Sequence, residues 1–293
     1  MRMKRNLCFF VLFFAFSGFT NLLNAQNVGI TDKSGGITPA NPLQVHKETK
    51  GSNTLIQMSN QSTGETAGDG FQLGIDGSQN GFIINKETGK NIILGGSNIA
   101  TDNTTIENDG TVVFNGAATT WDELRGSSSA RGTGSSPAMV QFTGNGPLFE
   151  WSFSHGASDK YLYCELQLTH GWNQGSRIYP HVHWTPSTNG TGNVAWKMDY
   201  IWQNIGEVYG LSSTAKVSTP VTGTAWQHEM SNFQTGVSDG IDATDKTISS
   251  ILVCRIYRDG SSVSDTYLDP VSLIGFDVLY EINTVGSHTP TTK

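Results

Sequence analysis

Three segments in the second half of the chain, YLYCELQL, NVAWKMDYIW and SLIGFDVLYEI, alternate between apolar and polar residues. A period of two is typical of a β-strand with one buried face and one face in water, as in antiparallel sheets. The positions that share the apolar face are Leu162, Cys164, Leu166 and Leu168 in the first segment, Val194, Trp196, Met198, Tyr200 and Trp202 in the second, and Ile274, Phe276, Val278, Tyr280 and Ile282 in the third. Turn signals such as STNGTGN and YRDGSS separate such segments, so residues 138–293 are predicted to form an antiparallel, jelly-roll-like β-sandwich head.

The first half of the chain carries a weaker pattern. Residues 26–115 contain short pieces such as NVGI, TLIQMS and FQLGI, with two to four apolar residues each and glycines between them. Strands this short cannot build a core alone, and they gain stability by stacking on copies of themselves or on neighbouring chains. We therefore predict a glycine-rich repetitive β-stalk, in a chain that is all-β throughout, and a homotrimer as its assembly. A flexible, partly ordered linker is the alternative interpretation of these residues.

Composition supports a division between the two halves. All 7 tryptophans and all 8 tyrosines lie between Trp121 and Tyr280, so aromatic packing is confined to the second half. Residues 116–137 are rich in small polar residues, which predicts a flexible linker. Within it, Trp121 and Leu124 are placed to tuck one turn against the head.

The N-terminus has the features of an export signal. The basic start MRMKR, an apolar run and a small residue at Ala25 indicate a secretory signal peptide over residues 1–25, with an uncleaved anchor as the alternative. We therefore expect a secreted or cell-surface protein with no membrane span after signal cleavage. The net charge of −7 argues against a nucleic-acid partner. Cys164 and Cys254 fall at inward-facing strand positions, where a disulfide and two buried free thiols are both open.

Two parts of the chain resemble phage proteins. NVGI followed by TPANPLQVHKET resembles the opening of stalk regions in phage tail fibres and Bacteroidetes surface proteins. The stretch from YLYCELQL to IWQNIGEVYG, with PHVHW and VAWKMDYIWQNIG as its most specific parts, resembles a domain of structural proteins of tailed phages, and departs from it at Thr169, where the family pattern has proline. The resemblance covers roughly half of the chain and implies a virion-fibre-like or surface-displayed β-domain. A signal peptide is unusual for a virion protein, which favours a host-encoded or prophage-derived secreted protein.

The segment RIYPHVHW places two histidines on one face of a predicted strand. Val182 and Trp184 fall on the apolar face, which we assign to the core. His181 and His183 then fall on the outer face, about 7 Å apart along the strand.

This histidine pair has three interpretations. A cupin-like metal site would combine His181 and His183 with His170 or Glu165 of the neighbouring predicted strand, and would imply an enzyme. The resemblance to metal-containing phage fibres suggests instead that three chains supply six imidazoles to an ion on a trimer axis. The third interpretation is a structural pair at the surface or at a subunit contact. Apart from an ion at His181 and His183, no cofactor is expected.

Other catalytic signals are weak, and we predict no catalytic residues. The sequence contains no nucleophile-elbow, zinc-protease or phosphate-loop motif. Trp172 and Trp226 lie in apparent loops, where a sugar-stacking platform would be, although loop tryptophans also serve as edge plugs of small sandwiches.

The predicted function is that of a non-enzymatic, exported, structural or adhesive fibre-like protein whose head binds a surface glycan or a cell-surface partner. A carbohydrate-binding, lectin-like module is the first alternative. A cupin-like metal-dependent enzyme is the second.

Overall fold

The structure is a computed structural model that describes residues 28–31, 43–47, 50, 52–131, 134–144 and 146–293. Within these ranges the regular structure is β-strand apart from two short 3-10 turns, Gly116–Ala118 and Phe142–Gly144, which confirms the predicted all-β class. No helix among the described residues is long and apolar enough to cross a membrane. The predicted signal peptide, residues 1–25, lies outside the described residues.

The described part of the chain contains twenty strands. In chain order they are β1 (Val28–Thr31), β2 (Leu43–His46), β3 (Thr54–Met58), β4 (Phe71–Ile75), β5 (Gly81–Asn85), β6 (Ile92–Gly95), β7 (Asn103–Ile106), β8 (Val112–Asn115), β9 (Thr120–Gly126), β10 (Ala138–Gln141), β11 (Phe149–Phe153), β12 (Leu162–Gln167), β13 (Ile178–Pro186), β14 (Asn193–Gln203), β15 (Ser213–Pro220), β16 (Glu229–Asn232), β17 (Gln234–Thr235), β18 (Ser238–Asp239), β19 (Ile251–Arg258) and β20 (Val271–Ile282).

The head consists of two six-stranded antiparallel sheets with a common core. The first sheet has the order β10-β11-β20-β13-β16, and β9 pairs with the same edge of β20 as β11, farther along the strand. The second sheet has the order β12-β19-β14-β15-β17-β18. The inward-facing apolar side chains of both sheets form one cluster, centred on the buried indoles Trp172, Trp184 and Trp196. This confirms the predicted β-sandwich.

The alternation predicted the core positions with one exception. Cys164 in β12 and Met198 in β14 are buried, as expected. In β20 the apolar phase changes at a β-bulge, because His183 pairs with Gly275 while the next residue of β13 pairs with Leu273. Leu273 therefore enters the core in place of Ile274, which had been predicted to do so.

The boundaries around the predicted linker differ from the structure. The chain divides into two compact units, 1–92 and 93–293, so β7, β8 and all of β6 except Ile92, predicted as stalk, belong to the second unit. Phe114 of β8 donates its backbone N–H to the Asn283 carbonyl just beyond β20. Residues 120–126, predicted as linker, form β9 and pair with β20 over seven residue pairs. The linker prediction missed this strand because its pairing partner lies more than 150 residues away in the sequence.

The first unit contains small sheets. β1 and β2 form a parallel pair, and β3, β4 and β5 form an antiparallel sheet in that order. In the register of this sheet, Ile56, Leu73 and Ile83 lie side by side on one face, and all three are exposed.

The two cysteines among the described residues, Cys164 and Cys254, are free thiols. Cys164 and Cys254 lie directly opposite each other on β12 and β19, and the Cys254 Sγ is 3.6 Å from the Cys164 carbonyl oxygen. Of the two states that the sequence left open, the structure has the reduced one.

Candidate functional site

The histidine pair lies on the outer face of the first sheet. In the register, His181 is opposite Asp277 of β20, which is in turn opposite Arg125 of β9. Directly opposed residues share a face, so Asp277 joins the histidines, and Glu123 joins them too because it lies two residues before Arg125. Val182 is fully buried on the opposite face, so the predicted orientation of the pair is confirmed.

This outer face is not the wet surface that the alternation predicted. His181 is fully buried, the Asp277 side chain is 4% exposed and the His183 side chain is 20% exposed. The reason is local: the His181 ring lies against Glu123 from β9, against His183 and beside Asp277. Glu123, on the strand formed by residues 120–126, therefore provides one side of this site.

Four side chains converge at this point, and we call them the histidine cluster: Glu123, His181, His183 and Asp277. One donor atom from each lies within 4.8 Å of the other three. His181 Nε2 is 2.8 Å from Glu123 Oε1, and His183 Nε2 is 3.2 Å from Asp277 Oδ2.

Two buried atoms of the histidine cluster have no hydrogen-bond partner: His181 Nε2 and Asp277 Oδ1. The short distance from His181 Nε2 to Glu123 is therefore a close approach whose angle does not suit a hydrogen bond. Arg125 Nε is 3.8 Å from Asp277 Oδ1, beyond hydrogen-bond distance. Buried polar atoms without partners are uncommon and costly, so this cluster requires a physical explanation.

The other ring nitrogens define the tautomers. His181 Nδ1 is 3.1 Å from the Tyr179 carbonyl oxygen, which can only accept, so the proton is on Nδ1. In the neutral ring the Nε2 lone pair then points into the cluster. His183 Nδ1 is 2.8 Å from Nε2 of His228. Burial, and then the neighbouring His181, lower the pKa of His183 below its usual value, which favours a neutral ring.

The other predicted metal ligands lie elsewhere. His170 forms hydrogen bonds with Ser287 at 2.5 Å and Ser249 at 3.0 Å, and is not part of the histidine cluster. Glu165 pairs with Arg131 at 2.5 Å. Both predictions were wrong because His170 lies beyond the end of β12, and Glu165 lies on the outer face of the second sheet. His181 is fully buried within its own chain, which does not suit the trimer-axis arrangement that was the second interpretation.

The two predicted platform tryptophans do not form an exposed surface. Trp172 is fully buried and packs on Trp202 with ring centroids 5.9 Å apart, so it belongs to the core. Trp226 is half-buried in the loop between β15 and β16, edge-on to Phe142 at 5.8 Å. The loop position of Trp172 did not reveal this burial, because it depends on contacts with residues distant in the sequence such as Trp202.

An exposed aromatic pair lies instead on the outer face of the first sheet. Trp121 of β9 is 58% exposed and meets the ring of Tyr179 of β13 edge-on, with centroids 5.5 Å apart. Trp121 and Glu123 share a face of β9, so the pair adjoins the histidine cluster. The sequence had predicted that Trp121 lies in a linker, tucked against the head.

Glu123 and Asp277 were not predicted as site residues. Asp277 carried a usable signal, since it is an acidic residue in the middle of an apolar strand, opposite the core positions of that strand. Glu123 carried none, because its approach depends on the pairing of β9 with β20.

Comparisons with known proteins give little further information. The chain matches no protein-family model and no curated protein sequence. Among solved structures, it is similar to the CBM22-1–GH10 modules of Clostridium thermocellum endo-1,4-β-D-xylanase 10B in complex with xylohexaose, with 14% identity, a TM-score of 0.30, and coverage of 58% of this chain and 27% of that one. A carbohydrate-binding module specific for non-crystalline cellulose, CBM28, is similar with 10% identity, a TM-score of 0.22, and coverage of 57% and 88%. TM-scores this low carry no argument about fold or function.

Proposed function

We propose that this chain is an exported, non-enzymatic binding protein whose sandwich head takes a surface glycan on the outer face of its first sheet. One observation carries the proposal: Trp121 presents an exposed indole beside Tyr179 on a sheet face that also offers polar side chains. The export signal expected over residues 1–25 would deliver the head to the cell surface or the medium.

An exposed aromatic pair fits a sugar because a sugar ring has apolar C–H faces and polar edges. Aromatic rings bury the apolar faces, and a few placed polar groups fix the orientation through the hydroxyl groups. Around Trp121, the Glu123 side chain is 48% exposed and Glu281 pairs with Trp121 across the strands. Arg125 extends from the same face of β9 and is largely exposed.

The test is binding of the full chain to a glycan array, followed by titration of any hit. Trp121→Ala should weaken binding by about 10-fold or more, since exposed aromatic anchors carry much of the energy of such contacts. Trp226→Ala is the matched control and should leave affinity unchanged. Loss with Trp226→Ala alone would move the site to the loop between β15 and β16. A wild-type chain that binds no glycan contradicts the proposal.

A second candidate function, as a fibre-like assembly, is favoured by a specific observation in the first unit. The sheet β3-β4-β5 exposes Ile56, Met58, Leu73, Ile75 and Ile83 on one face. Exposed apolar faces of this kind mark surfaces for association. We propose that further copies of this chain cover it, as in the homotrimer expected of a β-stalk.

Sedimentation of the full chain tests this second candidate. The wild type should sediment as a trimer at micromolar concentration, and Leu73→Lys should shift it towards monomer because a buried charge would face the neighbouring chain. Val237→Lys, at a fully exposed position of the head, is the matched control. A monomeric wild type would contradict the assembly and leave the glycan proposal untouched.

A further inference from the structure

The histidine cluster has properties that neither proposed function requires. We propose that Glu123, His181, His183 and Asp277 bind one divalent transition-metal ion of the zinc class, held within a single chain. The site would connect three adjacent strands, since Glu123 is on β9, both histidines are on β13 and Asp277 is on β20.

The donor set and its spacing suit such an ion. Two imidazole nitrogens and two carboxylate oxygens are ordinary zinc ligands, and four donors match its tetrahedral preference. At metal–ligand distances of about 2.0–2.2 Å, tetrahedral donors are about 3.3–3.6 Å apart. The observed separation of 3.2 Å from His183 to Asp277 is close to that size, the 2.8 Å from His181 to Glu123 is shorter, and all four donors lie within 4.8 Å of one another.

The unpartnered atoms support a ligand between these side chains. His181 Nε2 and Asp277 Oδ1 are both buried without a hydrogen bond. With its proton on Nδ1, His181 has an unprotonated Nε2 at 2.8 Å from the Glu123 carboxylate, and two acceptors this close repel each other unless a cation lies near both. A metal-binding histidine characteristically donates its other nitrogen to a carbonyl or a similar group, as His181 does to Tyr179.

Charge leads to the same conclusion. Two carboxylates and two neutral imidazoles carry a formal charge of −2, and Asp277 is almost fully buried. A buried carboxylate without a close counter-charge is costly. Arg125, 3.8 Å away and two-thirds exposed, compensates for it poorly, whereas a divalent ion would balance both carboxylates.

The alternative occupant is a proton. A doubly protonated His181 could lie between Tyr179 and Glu123 with no metal. In that case the chain would not bind one metal ion per chain, and both ring nitrogens of His181 would carry protons. Experiment therefore separates the two cases.

The experiment uses the full chain, stripped with a chelator and then dialysed against Zn²⁺. Elemental analysis should give about one zinc per chain, and Co²⁺ should produce the visible absorption of a four-coordinate ion with nitrogen and oxygen ligands. Asp277→Asn and His181→Ala should each weaken Zn²⁺ affinity by about 100-fold or more. His288→Ala, an exposed histidine that pairs with Asp109, is the matched control and should retain the ion.

Three results would overturn the proposal. The first is wild-type protein that takes up well under one Zn²⁺ per chain and gives no cobalt absorption; this needs no variant to fold. The second is full retention of zinc in Asp277→Asn protein whose near-ultraviolet circular dichroism is native. The third is nitrogen NMR showing His181 protonated on both nitrogens with no change on addition of Zn²⁺.

Discussion

Two of the groups of buried charged side chains in the head differ in how their polar atoms are paired. In the arginine cluster, Arg258 and Asp265 have fully buried side chains and form two parallel bonds, at 2.9 Å and 2.8 Å. Asp265 also accepts from the Ala195 N–H and contacts His155 Nδ1, and the remaining guanidinium donors reach backbone carbonyls, that of Phe153 among them.

In the histidine cluster, by contrast, not every buried polar atom has a hydrogen-bond partner. Its buried atoms include a nitrogen and a carboxylate oxygen without partners, and its closest pairs have poor hydrogen-bond angles. The difference shows that burial alone does not determine how a charge is compensated. A completed network stabilises the fold, whereas the incomplete network at the sheet face is where we propose that an ion binds.

The largest expected effect comes from breaking the completed network. Arg258→Ala should lower the free energy of unfolding by about 3–5 kcal/mol, because it leaves Asp265 buried and uncompensated. Urea unfolding followed by tryptophan fluorescence measures this. Arg131→Ala, which breaks the exposed pair with Glu165, is the control and should change stability little. A change at Arg258 no larger than that of the control would contradict the structural role.

An intermediate effect on the free energy of unfolding is expected for two buried tryptophans, one with a hydrogen-bonded indole and one without. Trp184 donates its indole N–H to Ser231 at 2.8 Å, whereas the indole N–H of Trp196 has no partner. Both lose similar volume on change to Phe. Trp184→Phe should therefore cost about 1–2 kcal/mol more than Trp196→Phe, since it also leaves Ser231 without a donor. Equal costs in thermal unfolding would show that pairing is not what distinguishes these sites.

The smallest expected change in the free energy of unfolding is that of a substitution in the histidine cluster without metal. In the presence of a chelator, Asp277→Asn should change the free energy of unfolding by less than about 1 kcal/mol or raise it, because it removes a poorly compensated buried charge. With Zn²⁺ added at the same concentration to both proteins, the wild type should gain more stability than Asp277→Asn, because its native state binds the ion more tightly. A loss of several kcal/mol in chelator would place Asp277 with the structural charges instead.

Much of the head could be predicted from alternation, because period two assigns faces without knowledge of strand partners. Met198 and Val182 were placed correctly for this reason. The exception, Ile274, lies at a bulge, where pairing across β13 and β20 changes the phase. Local pattern contains no information about such irregularities.

The candidate site was only half predictable. His181 and His183 stand out in the sequence, and their face was assigned correctly. Their contact with Glu123 depends on β9, which reaches β20 from the far end of the domain in sequence. Such a long-range pairing leaves no local signal, and Glu123 therefore looked like a linker residue.

The attachment of β9 also has a mechanical consequence. Tension that enters the head from the N-terminal side of the chain arrives through β9, which is held to β20 by seven residue pairs and by the bond from Tyr280 to Asp122 at 2.9 Å. Trp121 and Glu123 lie on this same strand. Force-extension measurements on the head would thus probe the strand that carries both the exposed indole and one side of the histidine cluster.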